Sequence, residues 1–243
     1  MNGTVIIIPS RLKAERLPNK PLKLIKNKAI ILHVYDLAVK SGAGEVVVAT
    51  PDKEISDLIK SNGGKSFISK KSHETGTDRV FEAFNNFYSS RPAIIINLQG
   101  DMPNLDPNAI LFLSNYLKKG SCDVATLASP LNKDEIEDKN IVKVITNNNI
   151  EKTRFSEAKD FKRVLDKKNN KFVYHHIGIY GFTNEALIRY VNLKRSKLEL
   201  DRNLEQMRAL ENNMIIHVGY VKSNPLGIDT EKDFFKVKRA MEN

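Results

Sequence analysis

Short apolar runs alternate with amphipathic stretches along the first half of the chain. Continuous runs rich in β-branched residues predict strands buried on both faces, at 5–8, 45–50 and 93–98, with further strands at 65–69 and 123–129. Apolar residues at helical spacing predict helices at 30–39, 51–62, 77–88 and 106–117. Strands that alternate with helices are typical of βαβ units. The pattern therefore predicts an α/β protein with a mostly parallel central sheet flanked by helices.

The pattern becomes less regular after residue 130. It predicts strands at 141–145, 172–182 and 214–221, and helices at 184–191, 198–210 and 231–241. The stretches 134–140 and 147–170 are polar, and 147–149 and 167–171 are interpreted as turns or loops. We expect a single domain over 1–243, in which approximately 130–215 form an inserted substructure over the edge of the sheet.

Composition narrows the class of protein. With 41% hydrophobic and 28% charged residues, the 243-residue chain is an ordinary globular protein. Its net charge of +10 would suit nucleic-acid binding, but the lysines are scattered, and a general compositional bias explains the charge as well. We therefore expect no nucleic-acid partner.

The single cysteine, Cys122, excludes an intrachain disulfide and any CxxC metal or redox pair. The sequence has neither a signal-peptide pattern at its start nor an apolar run of about 18 residues. We expect a cytoplasmic protein with no membrane insertion.

A basic loop follows the first predicted strand. Pro9 ends the strand, and the loop then carries four cations, at Arg11, Lys13, Arg16 and Lys20. Open α/β sheets bind ligands at the carboxyl ends of their strands, and cations at that edge suit a triphosphate. The alternative is a loop whose charges are simply solvated.

Two aspartates, Asp101 and Asp229, lie at predicted junctions between a strand and a helix. Asp101 follows the apolar strand 93–98 within Asn97-Leu98-Gln99-Gly100-Asp101, and Asp229 lies just before the last predicted helix. Carboxylates are hard oxygen ligands that suit Mg²⁺ bound to nucleotide phosphates. Asp229 is equally consistent with a helix cap, so a shared metal site is the sharper of two hypotheses.

Other motifs are less specific. Residues 74–79 read ETGTDR, which is either an ordinary helix start capped by a threonine or a small-residue loop beside a base or sugar. His175 and His176 are adjacent on one predicted strand, so they should point to opposite faces. The glycines at 42–44 and 63–64 lack the spacing of a Rossmann fingerprint or a P-loop, and no zinc-type ligand set is present.

Taken together, these segments resemble the nucleotide-sugar pyrophosphorylase superfamily, and most closely its cytidylyltransferases for 3-deoxy-manno-octulosonate (KDO). The matching stretches occur in the family's order and read IPSRLKAERLPNKPL, ETGTDR, NLQGDMP, HHIGIYGF, LEQMRALE and GIDTEKDF. The resemblance implies a Rossmann-like nucleotide-diphospho-sugar transferase fold. It also implies a homodimer and a reaction of CTP with KDO that yields CMP-KDO and pyrophosphate for lipopolysaccharide synthesis.

The resemblance also assigns roles by position. Catalytic roles fall on Arg11, Lys20, Asp101 and Asp229, of which the two aspartates would bind Mg²⁺. Nucleotide-binding positions are Pro9, Ser10, Arg11, Arg16, Lys20, Thr75, Gly76, Thr77 and Gln99. Positions that face the sugar acid are His176, Tyr180, Glu205 and Gln206. No residue stands out as a general base.

Three positions depart from the family pattern, all in the sugar half. Glu157 and His175 stand where arginine or lysine is common, and Arg202 stands where glutamate is common. One hypothesis is that these exchanges adapt the pocket to an amino sugar such as 8-amino-KDO. The alternative is that Arg154 or Arg163 compensates and KDO remains the substrate. A sialic-acid-type transferase and a non-catalytic nucleotide-binding protein are the remaining alternatives.

Overall fold

The computed structural model describes residues 3–13, 16–88, 91–165 and 171–242. The chain divides into two compact units, Met1–Ser114 with Pro225–Asn243, and Asn115–Asn224. The predicted insert at approximately 130–215 lies within the second unit. No helix in the described ranges is long and apolar enough to cross a membrane.

The first unit is built around a parallel sheet in the order β5-β4-β1-β6. Its strands are β1 (Thr4–Pro9), β4 (Glu45–Thr50), β5 (Ser66–Ile68) and β6 (Ile94–Leu98), with a small hairpin of β2 (Leu24–Ile25) and β3 (Lys28–Ala29). Its helices are α1 (Ile30–Lys40), α2 (Lys53–Ser61), α3 (Gly76–Phe87), α4 (Pro107–Leu117), whose last turn belongs to the second unit, and α9 (Glu231–Glu242).

Burial explains the apolar runs of this sheet. Every residue of β1 and β6 is buried, as is β4 beyond its first residue. Both faces of these strands are covered, so continuous rather than alternating apolar sequence is required. Because the strands are parallel, the residues after β1, β4 and β6 emerge at one edge of the sheet. This confirms the predicted α/β fold.

The second unit contains a mixed sheet. Its strands are β7 (Val124–Ser129), β8 (Lys143–Thr146), β9 (Phe155–Lys162), β10 (Val173–Thr183) and β11 (Ile216–Tyr220). Strand β7 pairs with β10 antiparallel and with β11 parallel, and β8 and β9 extend the sheet antiparallel. Its helices are α5 (Ile150–Thr153), α6 (Asn184–Val191), α7 (Lys197–Arg202) and α8 (Gln206–Glu211).

The structure differs from the predictions for this region in two ways. The polar stretch 147–170 contains α5 and β9, which were not predicted, and the predicted helix at 198–210 is split into α7 and α8. The helix breaks at Asn203, whose φ of 52° is left-handed, a conformation that asparagine tolerates better than most residues. The predicted turn at 167–171 falls almost entirely outside the described residues.

Candidate active site

The basic loop is anchored at both ends. Its first part is held by the backbone N–H of Leu12, which donates to Asp52 Oδ2 at 2.7 Å. The loop then closes on itself, because the N–H of Asn19 donates to the carbonyl of Leu12 at 3.1 Å. Asn19 is left-handed and leads into a short 3₁₀ helix that begins at Lys20. The position of Lys20 is therefore set by the backbone and not by a free loop.

Lys20 lies between the two predicted metal ligands. Its Nζ is 3.0 Å from Asp101 Oδ2 and 3.7 Å from Asp229 Oδ1, and it donates to the carbonyl of Ile228 at 2.7 Å. The N–H of Ile228 in turn donates to the carbonyl of Asp101 at 3.0 Å. Residues far apart in sequence thus meet at the carboxyl end of β6.

An apolar cluster explains why these segments meet. Leu17 from the basic loop and Ile228 from the segment before α9 are both buried in it. Phe234 and Val237 of α9, with Ile25 and Ile30, complete the cluster. Because Leu17 lies beside Arg16 and Ile228 precedes Asp229, burying the apolar side chains carries the charged ones to the site. Asp229 is not the cap of α9, since Thr230 Oγ1 accepts the N–H of Asp233.

The other loop cations are exposed. Arg16 lies 3.4 Å from Asp229 Oδ2, and its side chain is more than half exposed. Arg11 and Lys13 are exposed too, whereas Pro9 and Ser10 are buried where β1 ends. The loop therefore presents exposed cations on its surface and holds one cation, Lys20, against the two aspartates.

The segment 75–77 begins helix α3. Thr75 is its cap: its hydroxyl accepts the N–H of Asp78 at 3.2 Å, as the structural alternative for this motif predicts. Thr77 is also buried, and its Oγ1 accepts from Asn97 Nδ2. A methyl group added at Gly76 would lie 3.6 Å from Pro9 Cγ and 3.7 Å from the Gln99 amide. Pro9, Gly76 and Gln99 therefore meet at the edge of the sheet.

In the second unit, three of the predicted sugar-facing residues are close together. The rings of His176 and Tyr180 lie 5.5 Å apart, and Glu205 is near enough to raise the pKa of Tyr180, although burial raises that pKa more. Gln206 follows Glu205 as the first residue of α8 and is buried. The structure thus groups His176, Tyr180 and Glu205 and places Gln206 beside them in the chain.

His176 is a neutral, buried histidine. Burial lowers its pKa to about 3, with a smaller contribution from His175. Thr126 Oγ1 lies 3.0 Å from His176 Nε2 and 2.7 Å from the carbonyl of Ile179. A hydroxyl has a single proton. Since the Thr126 hydroxyl donates it to the Ile179 carbonyl, His176 Nε2 is the protonated ring nitrogen and donates to Thr126 Oγ1. The ring packs edge-on against Phe161.

The three departures from the family pattern lie in three different sets of contacts. Glu157 is exposed and accepts from Asn147, His175 contacts Glu135 and Asn224, and Arg202 pairs with Asp160. Glu157 and Arg202 therefore contact different residues. Of the two arginines that would compensate, Arg163 donates to the carbonyls of Lys139 and Asn140.

The donor set at Lys20 fits a magnesium ion. Asp101 and Asp229 supply carboxylate oxygens, which are the ligands that Mg²⁺ takes from proteins while its remaining positions go to water and phosphate. Within the described residues, no cluster of three or more acidic, histidine or cysteine side chains offers a complete metal cage. Two carboxylates without a third protein ligand match an ion that arrives with a nucleotide.

Sequence reasoning missed two features of this site. Asp52, which holds the basic loop, gave no signal beyond its place after a strand. Arg79 is part of ETGTDR but was not selected; it is only 6% exposed. The available signal was its place in the first turns of the predicted helix, directly after the buried cap residue Thr75.

Comparisons with known proteins agree with this geometry. The family model for cytidylyltransferases matches residues 5–216. The 3-deoxy-manno-octulosonate cytidylyltransferases of Bartonella quintana and Paramagnetospirillum magneticum are 38% and 37% identical to this chain, and each alignment covers at least 97% of both proteins.

A solved structure of CMP:2-keto-3-deoxy-manno-octonic acid synthetase, complexed with CTP, superposes with a TM-score of 0.89 at 32% identity over 99% of both chains. A cytidylyltransferase from Leptospira borgpetersenii, at 18% identity and a TM-score of 0.64, shares the fold. The chain therefore belongs to the cytidylyltransferase family, among the 3-deoxy-manno-octulosonate cytidylyltransferases.

Proposed function

We propose that this protein transfers CMP from CTP to KDO and releases pyrophosphate. The observation that carries the proposal is the position of Lys20, whose ammonium lies 3.0 Å from Asp101 and 3.7 Å from Asp229. A fixed cation between two carboxylates at the carboxyl edge of a parallel sheet suits a metal-bound triphosphate. Near full-length similarity to named KDO cytidylyltransferases supplies the nucleotide and the sugar acid.

The first unit holds the nucleotide in this proposal. Arg11, Arg16 and Lys20 neutralise the phosphates, the first two from exposed positions that can close on the ligand. Pro9 and Gly76 present a small surface beside which a flat base can lie, and the Gln99 amide is next to it. The Ser10 hydroxyl is buried at the start of the loop and makes no hydrogen bond within the described chain, so it is available to a ligand.

Asp101 and Asp229 would hold Mg²⁺. When bound, this ion neutralises charge on the α-phosphate and on the pyrophosphate leaving group. Lys20 serves the same end from the protein side, since the Ile228 carbonyl fixes its ammonium beside both carboxylates. The rate gain is then mainly positioning and electrostatic stabilisation, as in other phosphoryl and nucleotidyl transfers.

The second unit holds the sugar acid in this proposal. The anomeric C2 oxygen of the sugar attacks the α-phosphorus of CTP. The bond between the α-phosphorus and the oxygen that bridges it to the β-phosphate breaks, and pyrophosphate leaves. His176 and Tyr180 are both uncharged at neutral pH, because burial lowers the pKa of the first and raises that of the second. They are therefore neutral hydrogen-bonding groups for hydroxyls, while Glu205 and Gln206 supply acceptors.

The same proposal sets the biological context. The product is an activated sugar for lipopolysaccharide synthesis, and the reaction takes place in the cytoplasm, where CTP is made. We also propose that the protein acts as a homodimer.

The test is pyrophosphate release from CTP, Mg²⁺ and KDO. Release with CTP and not with ATP, GTP or UTP, abolished by EDTA, is the expected result. A parallel series with 8-amino-KDO and a sialic acid defines the sugar, and we expect KDO to be the preferred substrate. CTP binding without turnover of any sugar acid would identify a nucleotide-binding protein instead.

A further inference from the structure

Arg79 is a buried cation, and the part of the chain that the structure describes gives its Nε no hydrogen-bond partner. It lies in the first half of α3 and is 6% exposed. Its Nε is buried with no hydrogen-bond partner, and the described residues offer its guanidinium neither a hydrogen bond nor an ion pair. Burying an unpaired charge is costly, so a folded protein rarely retains one without a use for it.

The nearest carboxylates are already engaged. Asp52 and Glu82 are close enough to raise the pKa of Arg79, but burial lowers it more. Asp52 Oδ2 accepts the backbone N–H of Leu12 at 2.7 Å. Glu82 accepts the N–H of Lys70 at 3.0 Å and lies 2.6 Å from His73 Nε2. Both carboxylates hold loops in place, and within the described residues neither makes a hydrogen bond or an ion pair with the guanidinium.

A second cation faces Arg79. Arg11 from the basic loop is near enough to lower the pKa of Arg79, the second largest effect after burial. Ser10, the residue before it, has a buried hydroxyl that is also without a partner. Helix α3 packs against β1, and Gly76 at its start lies beside Pro9. Ser10 and Arg11 from the end of β1 and Arg79 from α3 thus supply donors in one part of the first unit, and within the described residues the Ser10 hydroxyl and Arg79 Nε have no hydrogen-bond partner.

We propose that Arg79 and Arg11 form a two-arginine clamp for a phosphate group of the bound nucleotide, with the Ser10 hydroxyl as a third donor. This inference rests on the proposed function, which supplies the nucleotide. A phosphate supplies negative charge that neutralises two neighbouring cations. It also has several oxygens, two of which can accept hydrogen bonds from one guanidinium group. A neutral pyrimidine edge would leave the repulsion between Arg11 and Arg79 uncompensated.

The clamp has a consequence for stability. Without a ligand, Arg79 costs free energy, and replacing it with a neutral side chain should leave the melting temperature unchanged or raise it. A structural arginine would do the opposite. Residues kept at the expense of stability are typical of binding sites.

The experiment compares Arg79→Gln and Arg79→Lys with Arg91→Gln, which removes an exposed arginine of the same unit. Melting temperature is measured without ligand, and calorimetric affinity is measured for tripolyphosphate, CTP and cytidine. We expect Arg79→Gln to bind tripolyphosphate and CTP roughly 10- to 100-fold more weakly, the effect of losing charge-assisted hydrogen bonds. Arg79→Lys should fall between Arg79→Gln and the wild type, and Arg91→Gln should match the wild type.

Several outcomes would overturn the clamp. Wild-type affinity of Arg79→Gln for tripolyphosphate would do so, and so would a loss confined to cytidine, which would place Arg79 on the nucleoside. A lowered melting temperature would assign Arg79 a structural role. If Arg79→Gln does not fold, unaltered tripolyphosphate affinity of Arg79→Lys is the contrary result. A wild type that binds tripolyphosphate but not CTP would refute the proposed function and leave the clamp intact.

Discussion

At the scale of single residues, Asp101 is the sharpest test of the metal proposal. Asp101→Asn keeps the shape of the side chain but removes the charge that faces Lys20. We expect kcat/KM for pyrophosphate release to fall at least 100-fold, about 2.7 kcal/mol of transition-state stabilisation. CTP affinity measured in EDTA should change much less, because the metal is absent from that measurement.

The matched control is Asp106→Asn. Asp106 lies in the same connection between β6 and α4, but it is exposed, and within the described ranges its carboxylate accepts only from Asn108. This variant should keep nearly full activity. Turnover of Asp101→Asn above a tenth of the wild-type rate would rule out the metal role.

The lowered pKa of His176 leads to a prediction about how the stability of the protein depends on pH. Its pKa is about 3 in the folded protein and near the ordinary histidine value of about 6.5 when unfolded, so between these values the unfolded chain binds the additional proton. The stabilisation is complete above about pH 6.5 and is lost as the pH falls toward 3. We expect the melting temperature to drop on going from pH 7.5 to pH 5.

The variant His176→Gln tests the source of this acid sensitivity. At pH 7.5 it should melt below the wild type, since packing against Phe161 and the contact with Thr126 are altered. The gap should narrow as the pH falls, because glutamine does not take up a proton. A constant gap from pH 7.5 to pH 5 would show that His176 is not the responsible group.

At the scale of elements, the start of helix α9 has a structural residue, Thr230, next to a proposed functional residue, Asp229. Thr230 caps the helix through its Oγ1, and Asp233 accepts the N–H of Thr230 at 2.9 Å in return. Thr230→Ala should cost about 1 kcal/mol of unfolding free energy with modest loss of activity. Its neighbour Asp229→Asn should do the reverse: nearly unchanged stability and severely reduced turnover. Chemical denaturation and pyrophosphate release measure the two effects, and equal losses of stability in both variants would contradict this division.

The elements also show what sequence could predict and why. The strands of the first unit were predictable because burial on both faces requires continuous apolar runs, and β4 was placed to the residue. Strand β9 was missed because most of its buried positions are small side chains, Ser156 and Ala158, which carry little periodic signal. The hairpin β2–β3 was missed because its strands have two residues each and its turn depends on the left-handed Lys26 and Asn27.

The candidate site was predictable to a similar extent. Asp101 and Lys20 were accessible because each follows a recognisable buried strand. The contact of Asp229 with Lys20 depends on packing between Leu17 and Ile228, which no local pattern encodes. The unpaired state of Arg79 was beyond reach, since it depends on which partners Asp52 and Glu82 take.

At the scale of the whole molecule, the assembly is the main open prediction. The apolar residues Ile177, Ile179 and Leu187 of the second unit are buried in its core. A homodimer formed through this unit must use apolar side chains that the fold leaves exposed. Among the described residues of this unit, Leu200 on α7 and Val164 are the most exposed of these, at 55% each, and Leu200 is the one that lies on a helix.

Leu200→Glu should therefore weaken the dimer. Burying one leucine contributes about 1.5–3 kcal/mol, and a symmetric dimer loses one from each protomer, so the dimer dissociation constant should rise by at least roughly 100-fold. Glutamate is a good helix former, which limits any effect on α7 itself. The matched control is Val39→Glu on α1 of the first unit, where the replaced side chain is 52% exposed.

Sedimentation velocity over a range of concentrations measures both variants. A wild type that sediments as a monomer throughout would refute the dimer. Equal dissociation constants for Leu200→Glu and the wild type would place the interface away from α7.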